Sequence, residues 1–353
     1  MRTSNIIKYI LLPVIIFISS SFQESGRTQM ESKVDMFHFS GRHLVCAIDL
    51  GDDIRGGHGL ETGFTYEILQ AFAEDHNCQI TVMAGDRNAD YMESLRKGSI
   101  DLLVIHHDDA AEDIIISETV NSCSAWAVKA GKDGEIREIN EWLESYIHTD
   151  RYQALQDRFF RAYNPLKRAE KGARSNIISP YDDMIKKYAD TLGWDWRMLA
   201  AVVYQESKFS ISSSSHRGAM GLMQVMPQTA QYYNVDNLTD PEQNLIAGTS
   251  HLRRLQKLYS GCGMNHDELI KFTLAAYNAG EGRIKDCRKL AESRNLDNRK
   301  WDNIVKVIPA MRDDSILEDE NVALGKFKGT ETIAYVESIM NIYQAICSIC
   351  PEN

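Results

Sequence analysis

Trp196-Arg197-Met198-Leu199-Ala200-Ala201-Val202-Val203-Tyr204-Gln205-Glu206-Ser207 is the stretch on which the reading of this chain turns. Asp195 just before it suits a helix cap, because a short side-chain oxygen can accept from the unpaired N–H groups of a first turn. Leu199, Val202, Val203 and Glu206 then recur at helical spacing on one face. Glu206 therefore points where apolar residues point. Burial of a carboxyl disfavours its charged form and raises its pKa, so this one can hold a proton near neutral pH and donate it. The competing reading is an ordinary Glu at a helix end, paired with a surface Lys.

Downstream of Pro180 the strand signal nearly vanishes. Helices are expected over Tyr181–Leu192, Trp196–Ser207, Gln228–Tyr233, Pro241–Tyr259, Asp267–Asn278, Gly280–Glu292 and Thr330–Cys347. The span 180–350 is thus expected to be an all-α domain. Upstream, 164–179 is polar and basic with Pro165 and Gly172 and no sustained period, and it reads as a linker. Before that, over 41–163, β-rich runs (Leu44–Asp49, Gln79–Met83, Leu102–His106, Ala125–Val128) alternate with helical ones (Thr65–His76, Ala89–Lys97, Glu138–Tyr146, Tyr152–Phe160). Such alternation predicts an α/β domain with a mainly parallel sheet.

The chain has 353 residues, which suits two domains, and its 43% hydrophobic and 25% charged content is that of a folded soluble protein. A net charge of −11 argues against nucleic acid as a partner, since phosphate binding needs a surplus of Lys and Arg. Arg2 and Lys8 precede an apolar run from Tyr9 to Ile18, broken by Pro13 and followed by Ser19–Ser21. That is the layout of a secretory signal or N-terminal anchor over 1–21, the run being about half of the roughly 20 residues a membrane span needs. Seven cysteines are dispersed along the chain; Cys262 with Cys287 leaves a disulfide open, and Cys347-x-x-Cys350 lacks the further ligands of a metal site. No metal and no cofactor are expected.

Three blocks carry a family resemblance: Glu206-Ser207-Lys208-Phe209 with Ser215 and Gly218-Ala219-Met220-Gly221-Leu222-Met223-Gln224-Val225-Met226-Pro227; Ala275-Ala276-Tyr277-Asn278-Ala279-Gly280; and Glu331-Thr332 with Tyr335-Val336. Together they resemble the soluble lytic transglycosylase family, whose catalytic domain is lysozyme-like and whose substrate is the glycan strand of peptidoglycan. The resemblance implies that Glu206 is the catalytic acid and then base, and that Ser215, Met223, Gln224, Tyr277, Asn278 and Tyr335 bind substrate. Tyr277 is expected to orient Glu206 or the sugar's N-acetyl group, and Gln224, both donor and acceptor, suits a sugar amide or hydroxyl. No Asp or Glu lies between Ser207 and Val235, whereas most glycosidases use a pair of carboxyl groups. The implied route uses the substrate's own N-acetyl oxygen and ends in a 1,6-anhydro sugar. Glu281 and Glu331 remain as distant alternatives for a second carboxyl.

The first half is similar to one lobe of the bacterial extracellular solute-binding proteins for amino acids. The likeness rests on Gly59-Leu60-Glu61-Thr62-Gly63-Phe64-Thr65-Tyr66, on Leu95-Arg96-Lys97-Gly98-Ser99-Ile100-Asp101-Leu102, and on Trp126-Ala127-Val128 with Ile139-Asn140-Glu141-Trp142. Some twenty residues between Leu103 and Trp126 leave no room for a second lobe, so a truncated module is expected, with a small ligand or muropeptide as its candidate partner. The whole order looks like the membrane-bound lytic transglycosylase F group, implying an exported protein of the periplasm or envelope, with peripheral association at a membrane, the outer membrane included. The alternatives are a hydrolytic muramidase of the same fold and a non-catalytic envelope binding protein.

Overall fold

The computed structural model describes residues 38–50, 60–121, 123–320 and 322–351. The expected leader over 1–21, and Gly59 of the solute-binding motif, lie outside the described residues.

The first half builds a sheet from β1 (His43–Asp49), β2 (Gln79–Ala84), β3 (Leu102–His106), β4 (Ile114–Ile116) and β5 (Ser124–Lys129), with α1 (Glu61–Asp75), α2 (Tyr91–Lys97), α3 (Asp133–Tyr146) and α4 (Asp150–Phe159) around it. The strand order is β2-β1-β3-β5-β4. Pairings β1–β2 and β1–β3 are parallel, whereas β3–β5 and β4–β5 are antiparallel, so the sheet is mixed rather than mainly parallel. The cause is the segment between β3 and β5. It carries only a short helical turn and β4, and a parallel return would need a crossover element there.

Side chains alternate across the sheet as strand geometry requires. Leu44, Cys46, Ile48, Leu102, Val104 and Trp126 join the core under α1, α3 and α4. Ala47, Leu103, Ile105 and Ala127 face Tyr91 and Leu95 of α2.

The second half is helical: α5 (Pro165–Glu170), α6 (Asp182–Leu192), α7 (Trp196–Ser207), α8 (Pro227–Tyr232), α9 (Pro241–Ser260), α10 (His266–Ala279), α11 (Glu281–Ser293), α12 (Trp301–Val307) and α13 (Thr330–Ile349). Asp195 caps α7 as expected, its carboxylate accepting from Arg197 N at 2.9 Å. The segment expected to be a linker is instead built into the fold. Asn164 caps α5 by accepting from Lys167 N, Pro165 fills the first helical position, and α5 packs on α13. Arg174 and Ser175 then donate to the carbonyls of Ser348 and Ile349 at 2.9 and 3.0 Å.

The two halves share one core, which runs from Phe39 to Ile349. Phe159 of α4 meets Tyr181 edge-on at 5.8 Å. β2 is an edge strand, and part of its outer backbone is satisfied by the second half. Asn237 Nδ2 donates to Val82 O at 2.9 Å, Ala84 N donates to Thr239 Oγ1 at 3.1 Å, and Tyr66 donates to Asp240 Oδ2 at 2.9 Å. Among the described residues no helix is long and apolar enough to cross a membrane.

Candidate functional site

Glu206 sits in the last turn of α7, where the chain breaks off abruptly. Lys208 and Phe209 follow with φ of 56° and 70°, both in the left-handed region that non-glycine residues seldom occupy. Lys208 closes the helix by donating its N–H to Tyr204 O, and Phe209 is fully buried. The strained exit fixes where α7 ends and so where Glu206 stands.

α13 packs along α7 and supplies the partner for the carboxyl. Tyr335, 8% exposed, donates its hydroxyl to Glu206 Oε1, and one turn further Ser338 Oγ donates to Gln205 Oε1 at 2.6 Å. Burial pushes the Glu206 pKa up to about 7, against the opposing effects of the Tyr335 hydrogen bond and the Lys208 charge. Lys208 is itself lowered by burial, and its ammonium lies 4.3 Å above the Tyr204 ring. Tyr335 and Tyr277 are raised well above the ordinary phenol value, by burial first and the Glu206 charge second. Both remain neutral O–H donors throughout the range in which Glu206 titrates.

The turn from Gly218 to Gln224 forms the neighbouring wall. Gly221, with φ of 74°, has no room for a Cβ, which would lie 2.1 Å from Asn244 Nδ2. Asn244 of α9 is fully buried and holds this turn from behind: its Nδ2 donates to Met220 O and Leu238 O, and its Oδ1 accepts from Met223 N, each at 2.9 Å. Gln224, with φ of 49°, donates its amide N–H groups to Ser213 O and Gly221 O at 2.9 and 3.1 Å. Its donors are thus committed to the protein, and its carbonyl oxygen makes no hydrogen bond among the described residues. Met223 is buried, and its part in the site is its backbone oxygen, which accepts from the Tyr277 hydroxyl at 2.7 Å.

The two tyrosines of the sequence reading stand differently from expectation. Tyr335, expected at the substrate, is the residue on Glu206. Tyr277, expected to orient Glu206 or the sugar's N-acetyl group, donates to the Met223 carbonyl and lies near enough for the Glu206 charge to act on it. Ser215 accepts from Ala219 N at 3.0 Å and so closes its own loop, keeping its hydroxyl proton to donate. Asn278 is exposed, and its Oδ1 accepts from Thr332 Oγ1 at 2.8 Å. Asn244 was missed: within Pro241-Glu242-Gln243-Asn244 only its neighbours Leu245 and Ala247 hint that it faces inward.

The distant carboxyls do not join Glu206. Glu281 is paired with Arg254 at 2.8 Å and lowered below the ordinary Glu value, while Glu331 is exposed. Among the aromatic side chains, Trp194 is buried and donates its Nε1 to Gln256 Oε1, whereas Tyr232 is 71% exposed. Tyr232, Tyr233, His251 and Tyr277 form a run of ring contacts at 4.9, 6.3 and 5.5 Å. None of the seven cysteines is joined in a disulfide, Cys262 and Cys287 included. Among the described residues no group of three or more His, Cys, Asp or Glu is placed to hold a metal ion.

Residues 183–300, which include Glu206, Gln224 and Tyr277 but not Tyr335, match the family model described as the transglycosylase SLT domain. The chain is 31% identical over 227 residues to the "Membrane-bound lytic murein transglycosylase F" of Desulfosudis oleivorans, over 63% of this chain and 49% of that protein. It is 28% identical over 272 residues to the protein of the same name from Pseudomonas fluorescens, over 73% of this chain and 55% of the relative. The chain thus spans about half the length of the curated relatives it matches. Among solved structures, the 70 kDa soluble lytic transglycosylase of Escherichia coli is 26% identical over 47% of this chain and 24% of its own, with a TM-score of 0.32.

Proposed function

We propose that this protein is a peptidoglycan lytic transglycosylase in which Glu206 is the single acid–base residue. The observation that carries the reading is a carboxyl with its pKa raised to about 7, one oxygen held by the Tyr335 hydroxyl, inside a stretch that matches the transglycosylase SLT domain. Near neutral pH a large share of Glu206 is protonated and can deliver its proton to the glycosidic oxygen of a β-1,4 bond between N-acetylmuramic acid and N-acetylglucosamine. With the leaving group gone, the carboxylate takes a proton from the C6 hydroxyl of the same sugar, whose oxygen closes on C1 to give a 1,6-anhydro end. The substrate's N-acetyl oxygen supports the cationic centre in between, in place of a second carboxyl.

Tyr335 holds the carboxyl in one orientation through both proton transfers. The Gln224 carbonyl, the Ser215 hydroxyl and the Asn278 amide are the polar groups assigned to the sugars, and the Met223 backbone and Tyr277 fix the wall between them. The α/β region over 41–163 is read as a single solute-binding-like lobe ahead of the catalytic domain over 180–350, with a small ligand or muropeptide as its candidate partner. The setting is the periplasm or cell envelope, with peripheral membrane association.

The test is digestion of purified sacculi by the intact protein and by Glu206→Gln, with products weighed by mass spectrometry. The expected result is soluble fragments ending in anhydro sugar from the first and none from the second. Fragments heavier by one water, ending in reducing sugar, would replace the reading with a muramidase, and no release from either protein would leave only a binding role.

A further inference from the structure

The turn after β2, Gly85 to Arg87, lies in the α/β region, yet it touches the loop that carries the sugar-facing side of the site. Ser213 O of that loop accepts both from Gln224 Nε2 and from Gly221 N at 2.9 Å, and Ser214 bridges to Met220. From the opposite side Gly85, with φ of 77°, approaches so closely that a Cβ would lie 2.2 Å from Ser212 O. Two residues on, Arg87 Nε donates to Ser214 Oγ at 3.1 Å. The base of this turn cannot drift, because Ala84 and Val82 are hydrogen-bonded to Thr239 and Asn237. The serine loop is therefore clamped between the β2–α2 turn and the Gly221–Gln224 turn.

Resting on the proposed function, we infer that Gly85 and Arg87 are positioning residues for the reaction: they set the serine loop, and through Ser213 O they set Gln224 and the turn ending in the Met223 carbonyl. The α/β region is in this sense part of the catalytic apparatus and no detachable neighbour. Neither residue touches substrate. A side chain at Gly85 must push the Ser212 backbone away by roughly 1 Å, and a misplacement of that size can lower turnover about 100-fold. Loss of the exposed Arg87 bond removes one ordinary hydrogen bond, equivalent to about a two- to tenfold effect.

The experiment compares the intact chain with Gly85→Ala, Arg87→Ala, Arg87→Lys, Ser214→Ala, the Arg87→Ala/Ser214→Ala double variant and Glu206→Gln, reading release from sacculi against substrate concentration, its pH profile, and Tm. The expected result is a strong fall in kcat/KM for Gly85→Ala. Arg87→Ala and Ser214→Ala should fall about two- to tenfold with Tm unchanged, the double variant should be no worse than either single, and Arg87→Lys should recover part of the loss. The pH midpoint set by Glu206 should not move in the Gly85, Arg87 and Ser214 variants. Wild-type rates in folded Gly85→Ala and Arg87→Ala, or losses in Arg87→Ala that merely track a lower Tm, would overturn the inference while leaving the proposed function standing. An inactive unsubstituted protein would sink the proposed function, and this inference with it.

Discussion

Replacing Tyr335 by Phe should move the alkaline limb of the activity profile to higher pH. The phenol donates to Glu206 Oε1, and that bond favours the charged carboxylate, holding the pKa down while burial lifts it to about 7. A hydrogen bond to a charged group contributes roughly 1.5–3 kcal/mol. At about 1.4 kcal/mol per unit this corresponds to roughly 1–2 units. Glu206 is not sealed from solvent, so water replaces part of the lost bond and a shift of about one unit is expected. The proposed reaction needs the protonated acid in the free enzyme, so kcat/KM is full below the midpoint and falls as pH rises through it. The midpoint should therefore go from about 7 to about 8, alongside a lower plateau because the carboxyl is no longer held in one orientation. Initial rates of sacculus solubilisation at low substrate and fixed ionic strength, from pH 5 to 9.5, measure it. An unmoved or acid-shifted midpoint in a folded Tyr335→Phe protein would refute the assignment of Tyr335 as the partner of the Glu206 carboxyl.

Glu206→Gln should be more stable than the unsubstituted protein at alkaline pH. The folded-state pKa lies about 2.5 units above the 4.5 of an unperturbed Glu, so the unsubstituted protein loses stability as pH rises from about 4.5 to 7, by roughly 3 kcal/mol in all. Thermal melts should show a higher Tm for Glu206→Gln at pH 8 and no difference at pH 4; equal Tm at both would show that the carboxyl is not desolvated. Asn244→Ala should destabilise by about 3 kcal/mol or more, because two buried carbonyls and one buried N–H lose their partner together, and urea unfolding measures it. Limited proteolysis should spare 164–179, where α5 is docked on α13; rapid cutting there, with release of two stable halves, would contradict the shared core.

What the sequence made legible was mostly local. Trp196–Ser207 emerges with its expected bounds and its Asp195 cap because a cap and an apolar stripe are written within one turn of each other. The α/β half disclosed its helices, but α1 begins at Glu61 and α3 at Asp133, earlier than their apolar periods suggested. β4, three residues long, and the short helices α5 and α12 have too little length for a period to form. The direction of β5 depends on what fills the gap after β3, which is a matter of tertiary pairing. The same limit applies to the two tyrosines. Tyr277 and Tyr335 stand 71 and 129 residues from Glu206 in the chain, and nothing in their local sequence says which hydroxyl reaches the carboxyl and which reaches a carbonyl.

The first turn of α9 is where these separate features meet. Asp240 caps that helix by accepting from Gln243 N, and the same side chain receives Tyr66 from the α/β half. Asn237 and Thr239, immediately before the cap, satisfy the outer backbone of β2, an edge that would otherwise stand open. Asn244, one turn inside, holds Met220 O and Met223 N and so fixes the turn against which Tyr277 is anchored. Eight residues, 237–244, thus bind the sheet on one side and the site wall on the other. A buried polar group left without its partner destabilises far more than a satisfied one stabilises, so this segment tolerates no loosening at either end. The edge of the sheet and the turn beside Glu206 are thereby held to one geometry, so a shift of the α/β half carries the Met220–Met223 turn with it.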